Sequence, residues 1–185
     1  MLSRGSSPLM NRSPRPLNVE GSENIMEARE NAIDALNRML AKEHACAIRY
    51  ATHASLITGP HVDPVSKRLQ EIADDEIVHA GKLRRRIRAL GGMPTMKVDA
   101  GTHPPSLTLG DIVEENILEE REAIKEYREI LKGTSRLDVL LYETLEDILK
   151  DEQEHLEELQ DLAPPGVAAP SVADEAYPQD FNGRP

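Results

Sequence analysis

Four apolar stripes at helical spacing, each broken near its middle by a glutamate, restrict what this chain can fold into more than any other feature. The first reads Leu36, Leu40, Glu43, Ala47, Tyr50, Ala54, and the second Leu69, Ile72, Glu76, His79, Leu83, Ile87, Leu90. The third reads Val113, Ile117, Glu120, Ile124, Tyr127, Leu131, and the fourth Leu145, Ile148, Glu152, His155, Leu159, Leu162. Apolar residues three and four apart share one face of a helix, so four amphipathic helices are expected. Aromatics make up only 3% of the 185 residues, while Glu, Leu, Ala, Lys and Arg abound, which is the usage of a helical chain. The fold class is therefore all-α.

Turn and cap signals divide the chain. The first helix is expected over about 23–57, stopping at Gly59-Pro60. The second takes Asp63 as N-cap with Pro64 at the first helical position, and ends at Gly91-Gly92. The third opens at Thr108 with Asp111 three residues on, a variant capping box, and closes at Gly133. The fourth repeats that relation with Ser135 and Asp138 and ends before Pro164. Residues 58–63 and 133–135 are short connections, so helices one and two, and helices three and four, form antiparallel hairpins. The stretch 91–107 is long and carries Pro94, Pro104 and Pro105, which makes it a crossover between the hairpins. Residues 1–23, with Pro8, Pro14 and Pro16, read as a disordered arm, 24–162 as the bundle, and 163–185 as a Pro-rich tail.

The glutamates sit on the wrong face for solvated charges. A carboxylate in a dry core costs several kcal/mol unless it is paired or bound to metal. Four converging carboxylates also repel one another, and two divalent cations cancel that charge. His79 and His155 follow Glu76 and Glu152 by three residues, which puts both donors on one helical face. Glu43, Glu76, His79, Glu120, Glu152 and His155 are thus the candidate metal ligands, with Glu119 the neighbour that a slight helix rotation would exchange for Glu120. Cys46 reads as a small buried residue, and His44 and His53 as surface or interface residues. Glu114, Glu115, Glu122, Glu126, Glu157 and Glu158 make a solvated face.

Exclusions follow from charge and cysteine usage. A formal net charge of −11 argues against a nucleic-acid surface and suits a protein that attracts cations. Cys46 is the single cysteine, which rules out an internal disulfide and fits a reducing cytoplasm. No apolar run approaches the roughly 20 residues needed to span a bilayer, and the N-terminus shows no apolar signal core.

The segments LNRMLAKEHACAIRYATH (36–53), DDEIVHA (74–80), ILEEREAIKEYREI (117–130) and ILKDEQEHLEEL (148–159) resemble bacterioferritin and the wider ferritin-like di-iron group. The resemblance covers roughly residues 25–162. It implies that Glu76 and Glu152 bridge two metals, with Glu43 and His79 terminal on one and Glu120 and His155 terminal on the other. It also implies that Tyr50 hydrogen-bonds a ligand carboxylate. Two departures stand out. Ile77 occupies the position of the haem-binding methionine, so haem is not expected there. PPGVAAPSV replaces a fifth helix, so a small homo-oligomer such as a dimer of bundles is as well supported as a 24-subunit cage. The expected activity is a ferroxidase oxidising Fe2+ with O2 or H2O2, for iron detoxification or storage. The alternative is a di-iron or di-manganese peroxidase or catalase, since such donors accept Mn as well as Fe. A purely helical interaction protein is the non-enzymatic alternative, and it leaves four buried carboxylates uncompensated.

Overall fold

The computed structural model describes residues 19–58, 62–99, 108–134 and 137–163. They form four helices: α1 (Val19–Leu56), α2 (Val62–Ala89), α3 (Leu109–Thr134) and α4 (Val139–Leu162). The arm prolines, Gly59-Pro60, Pro104, Pro105, Ser135, His61, His103 and the Pro-rich tail lie outside the described residues. No strand occurs among the described residues.

The helix ends correct several expectations. α1 begins at Val19, so residues 19–23, expected in the arm, are helical. No proline follows Pro16 there, so nothing in the sequence interrupts the helix over this stretch. α2 begins at Val62, which puts Asp63 inside the first turn rather than at the cap. The expected box at the start of α3 is present. Asp111 Oδ2 accepts from Thr108 N and from Thr108 Oγ1, both at 2.8 Å, and Asp111 N donates to Thr108 Oγ1 at 3.2 Å. At α4 the cap is Asp138 itself, extended in backbone and accepting from Leu141 N at 2.7 Å, rather than Ser135 with Asp138 as its partner. α2 ends as the glycine pair requires. Gly91 takes φ +78, Gly91 N donates to Arg88 O, and Gly92 N donates to Ile87 O, each at 2.9 Å. That is the Schellman pattern, which a residue with a Cβ adopts only with strain.

Pairings across the bundle give the topology. α1 packs along α2, α3 along α4, and α1 also meets α3 while α2 meets α4. Lys42 pairs with Glu126, Arg49 with Glu119 and His53 with Asn116, so α1 and α3 run antiparallel. His79 and Asp151 pair near one end of a ladder that runs through Asp75 with His155 to Arg68 with Glu158, so α2 and α4 are antiparallel as well. Ser66 bonding to Ala54 O and Arg84 bonding to His44 set α1 against α2 in the same sense. With α1 antiparallel to both α2 and α3, those two run parallel, and the connection between them must travel the length of the bundle. Its start does so along α1. Asn37 Nδ2 donates to Met93 O at 3.1 Å, and Asn37 Oδ1 accepts from Thr95 N at 2.8 Å. Farther on, His44 Nδ1 bonds Lys97 O at 2.8 Å, and Asp99 N donates to Ala41 O at 3.1 Å.

The core has two apolar ends and a polar waist. One cluster centres on Leu36, Leu40, Leu83, Ile87 and Leu145, and the other on Leu69, Ile72, Val113, Ile117 and Leu159. Of the stripe residues, all are buried except Ala47 and Leu162, which are partly buried. The glutamates and paired histidines lie between the two clusters, shut off from water along the bundle axis.

Candidate metal centre

Each helix brings its mid-stripe donor to the waist. Glu43, Glu76, His79, Glu120, Glu152 and His155 are all buried, with no more than 2% of any exposed. Helical spacing explains this: once the apolar residues a turn away on either side face the core, the intervening glutamate has no other direction to point. Glu119, by contrast, lies on the flank of α3 and pairs with Arg49 at 3.3 Å.

The donors form two overlapping groups. Glu43, Glu76, His79 and Glu152 each offer an atom within 4.8 Å of the others, and so do Glu76, Glu120, Glu152 and His155. Glu76 and Glu152 belong to both, and their oxygens divide between the two sides. On one side His79 Nδ1 lies 3.4 Å from Glu76 Oε2, 3.3 Å from Glu152 Oε1 and 3.6 Å from Glu43 Oε2. On the other, His155 Nδ1 lies 3.5 Å from Glu76 Oε1 and 3.4 Å from Glu152 Oε2. The two imidazole rings are 5.8 Å apart, centroid to centroid.

Burial and mutual charge shift the titration of nearly every member of the cluster. Burial pushes the carboxyls of Glu76 and Glu120 well above the usual range, and the neighbouring Glu152 carboxylate adds to it. Burial pushes Glu152 the same way, but the imidazoles of His155 and His79 outweigh it and hold its carboxyl down at about 2. Burial would lower His79 and His155, yet the facing carboxylates, Glu152 foremost, raise both. Glu43 Oε2, Glu76 Oε1 and His155 Nδ1 are buried with no hydrogen-bond partner among the described residues. Three buried lone-pair donors aimed into one space fit a bound cation, because an unsatisfied buried polar atom is otherwise costly.

Supporting residues surround this set. Tyr50 donates its hydroxyl to Glu120 Oε1, a bond to one of the candidate carboxylates. Tyr127 donates to Glu43 Oε1 in the opposite sense, a role the stripe reading missed. The signal was there: each tyrosine follows the glutamate of its own helix by seven residues. Burial raises both phenols well above their ordinary value, so both stay protonated donors. Two aspartates were also missed. Asp151 accepts from His79 Nε2 at 3.0 Å, and Asp75 Oδ2 lies 3.4 Å from His155 Nε2. In both cases the aspartate immediately precedes the shared glutamate, Asp75-Glu76 on α2 and Asp151-Glu152 on α4. With Nε2 directed at aspartate, Nδ1 is the nitrogen each ring turns towards the carboxylates.

The remaining candidates separate cleanly. His53, expected at the surface or an interface, is fully buried, with Nδ1 3.2 Å from Asn116 Oδ1. It is enclosed because α1 packs against α2 and α3 together, a wider contact than one stripe covers. His44 remains at the surface against the crossover. Cys46 is partly buried beside Arg49, and burial pushes its thiol up. Ile77 is 58% exposed on the outer face of α2.

Comparison with known proteins agrees with this architecture. The ferritin-like domain family matches residues 33–163. A bacterial ferritin of Neisseria meningitidis serogroup B is 30% identical over 103 residues, which are 54% of this chain and 66% of the relative. The chain thus spans just under two thirds of that relative's length. A ferritin-like diiron-carboxylate protein from Bacillus anthracis superposes with a TM-score of 0.69 at 28% identity, over 74% of this chain and 98% of the other. A dodecameric thioferritin of Bacteroides fragilis, described as bacterioferritin-related, gives 0.68 at 27% identity, over 78% and 92%. The matched region takes in almost the whole bundle, in its order of helices and with its buried donors, and this chain belongs to the ferritin-like family.

Proposed function

We propose that the waist of the bundle is a two-cation oxidation centre whose substrate is Fe2+. The observation that carries this reading is the division of oxygens at Glu76 and Glu152, each of which faces both imidazoles and belongs to both donor groups. Glu76 and Glu152 would be shared between the two positions, Glu43 with His79 would complete one, and Glu120 with His155 the other. Four carboxylates balance the charge of two divalent cations, so the loaded site is neutral in its dry surroundings.

The chain's own residues have defined tasks in this reading. The carboxylates supply hard anionic oxygen, which favours the ferric state of the bound iron over the ferrous. Tyr50 and Tyr127 hold Glu120 and Glu43 by one oxygen each, which leaves the second oxygen to face the centre. Asp151 and Asp75 orient His79 and His155. The apolar clusters above and below exclude water. Each of two Fe2+ gives up one electron, and the pair of electrons with two protons converts H2O2 to two waters, or O2 to H2O2.

Iron detoxification in the cytoplasm is the matching role, and a homo-oligomer is the matching state, since the Bacteroides fragilis neighbour is a dodecamer. No helix among the described residues is long and apolar enough to cross a membrane. The same donor chemistry supports a second reading, peroxide removal by a di-iron or di-manganese centre. Aerobic addition of Fe2+ to the metal-free protein tests the first. A near-UV ferric absorbance should grow faster than in a Glu76→Gln, Glu152→Gln control. Equal rates would refute it. H2O2 consumption by the Mn-loaded protein without added Fe2+ would favour the second.

A further inference from the structure

The two halves of the centre repeat one pattern and then diverge. α2 carries Asp75, Glu76 and His79, and α4 carries Asp151, Glu152 and His155, at identical spacing. Three residues after each histidine the correspondence breaks: Lys82 on α2 stands where α4 has Glu158. Lys82 Nζ lies 3.0 Å from Asp151 Oδ2, the same oxygen that accepts from His79 Nε2 at 3.0 Å. Glu158 is engaged by Arg68 and offers Asp75 no positive charge. Asp75 has its side chain half exposed and stands 3.4 Å from His155 Nε2, with no ion pair to a lysine or arginine among the described residues.

We propose that Lys82 is a positioning residue that makes the two halves of the centre inequivalent. By fixing Asp151 it holds the His79 ring, so that the half formed by Glu43 and His79 takes the first cation. This rests on the two-cation reading above.

Two effects oppose each other, and their sizes decide. A lysine near a cation site repels the cation, while Asp75, with no lysine or arginine against it among the described residues, attracts one. Lys82 is offset by Asp151 at contact distance, and Asp75 acts through solvent, where a half-exposed charge is screened. Ring orientation acts on the ligand itself. An outer partner of a metal-binding histidine typically contributes about 10–100-fold in affinity. A ring whose partner is itself tethered loses less freedom on binding than one whose partner can swing into water.

The test is a Co2+ titration of the full-length metal-free protein, followed by calorimetry and by the visible absorption of the bound ion. The wild-type chain should fill in two unequal steps. Lys82→Met should weaken the first step by about tenfold, the low end of the outer-partner range, and leave the second step and the final stoichiometry unchanged. Lys82→Arg should restore the first step. His79→Ala should abolish the tight step and spare the weak one, and His155→Ala should do the reverse. That pair decides the assignment even if Lys82→Met does not fold. Unchanged steps in Lys82→Met, a tighter first step, or an equal shift of both would overturn the proposal. A wild-type chain that binds a single cation would instead sink the two-cation reading beneath it.

Discussion

The Tyr127 hydroxyl on α3 donates to Glu43 Oε1 on α1, the reverse of the bond from Tyr50 on α1 to Glu120 on α3. The two bonds cross the α1–α3 interface on either side of the buried cluster. Each fixes one oxygen of a carboxylate that would otherwise rotate in an apolar surround. Removing either phenol leaves a buried carboxylate short of a donor. A buried polar group left without its partner costs about 1–3 kcal/mol, so Tyr127→Phe and Tyr50→Phe should each destabilise the metal-free bundle by that order. Urea denaturation monitored by circular dichroism measures it. Variants within about 0.5 kcal/mol of wild type would mean the phenols are ordinary core rings.

The crossover is held to α1 by one side chain at two points. Asn37→Ala removes the bonds to Met93 O and Thr95 N together. The global cost should be small, about 1–2 kcal/mol for two partly solvated bonds. The local effect should be larger: the Thr95 amide should lose hydrogen-exchange protection while amides in mid-α2 keep theirs. Unchanged protection at Thr95 would show that other contacts secure the segment.

Cation binding should be linked to protons. In the metal-free protein burial favours the protonated carboxyls of Glu76 and Glu120, and the facing carboxylates favour protonated His79 and His155 against the opposing effect of burial. All four shifts are upward, so a cation binds in competition with protons. Affinity should therefore rise with pH and proton release should accompany loading, readable with an indicator dye in weak buffer. Glu152, held down at about 2, stays ionised throughout and contributes none of this. Loading without proton release would contradict the charge state described.

Much of this was legible in the sequence because the signal was periodic. A glutamate in the middle of an apolar stripe has one direction to point, and Glu43, Glu76, Glu120 and Glu152 all point there. The capping box at Thr108 and Asp111 and the crossover implied by short and long connections were legible for the same reason: each is a local rule. What escaped depends on how helices pack. Tyr127 repeats the spacing of Tyr50, yet its carboxylate partner is settled only by the antiparallel register of α1 and α3. Asp75 and Asp151 are indistinguishable by composition from the acidic residues around them, and only the α2–α4 contact singles them out. His53 lay off its stripe, and its burial follows from α1 touching two neighbours at once. Asn37 gave no signal, since a half-buried asparagine becomes a clasp only when a loop passes it.

Anaerobic titration of the metal-free protein with Fe2+ reads the number of cation positions in the waist of the bundle. Saturation is expected at two Fe2+ per chain, one for each donor group, with loss of that binding when Glu76→Ala is combined with His155→Ala. Saturation at another ratio, or binding that survives the double substitution, would contradict the two-cation reading.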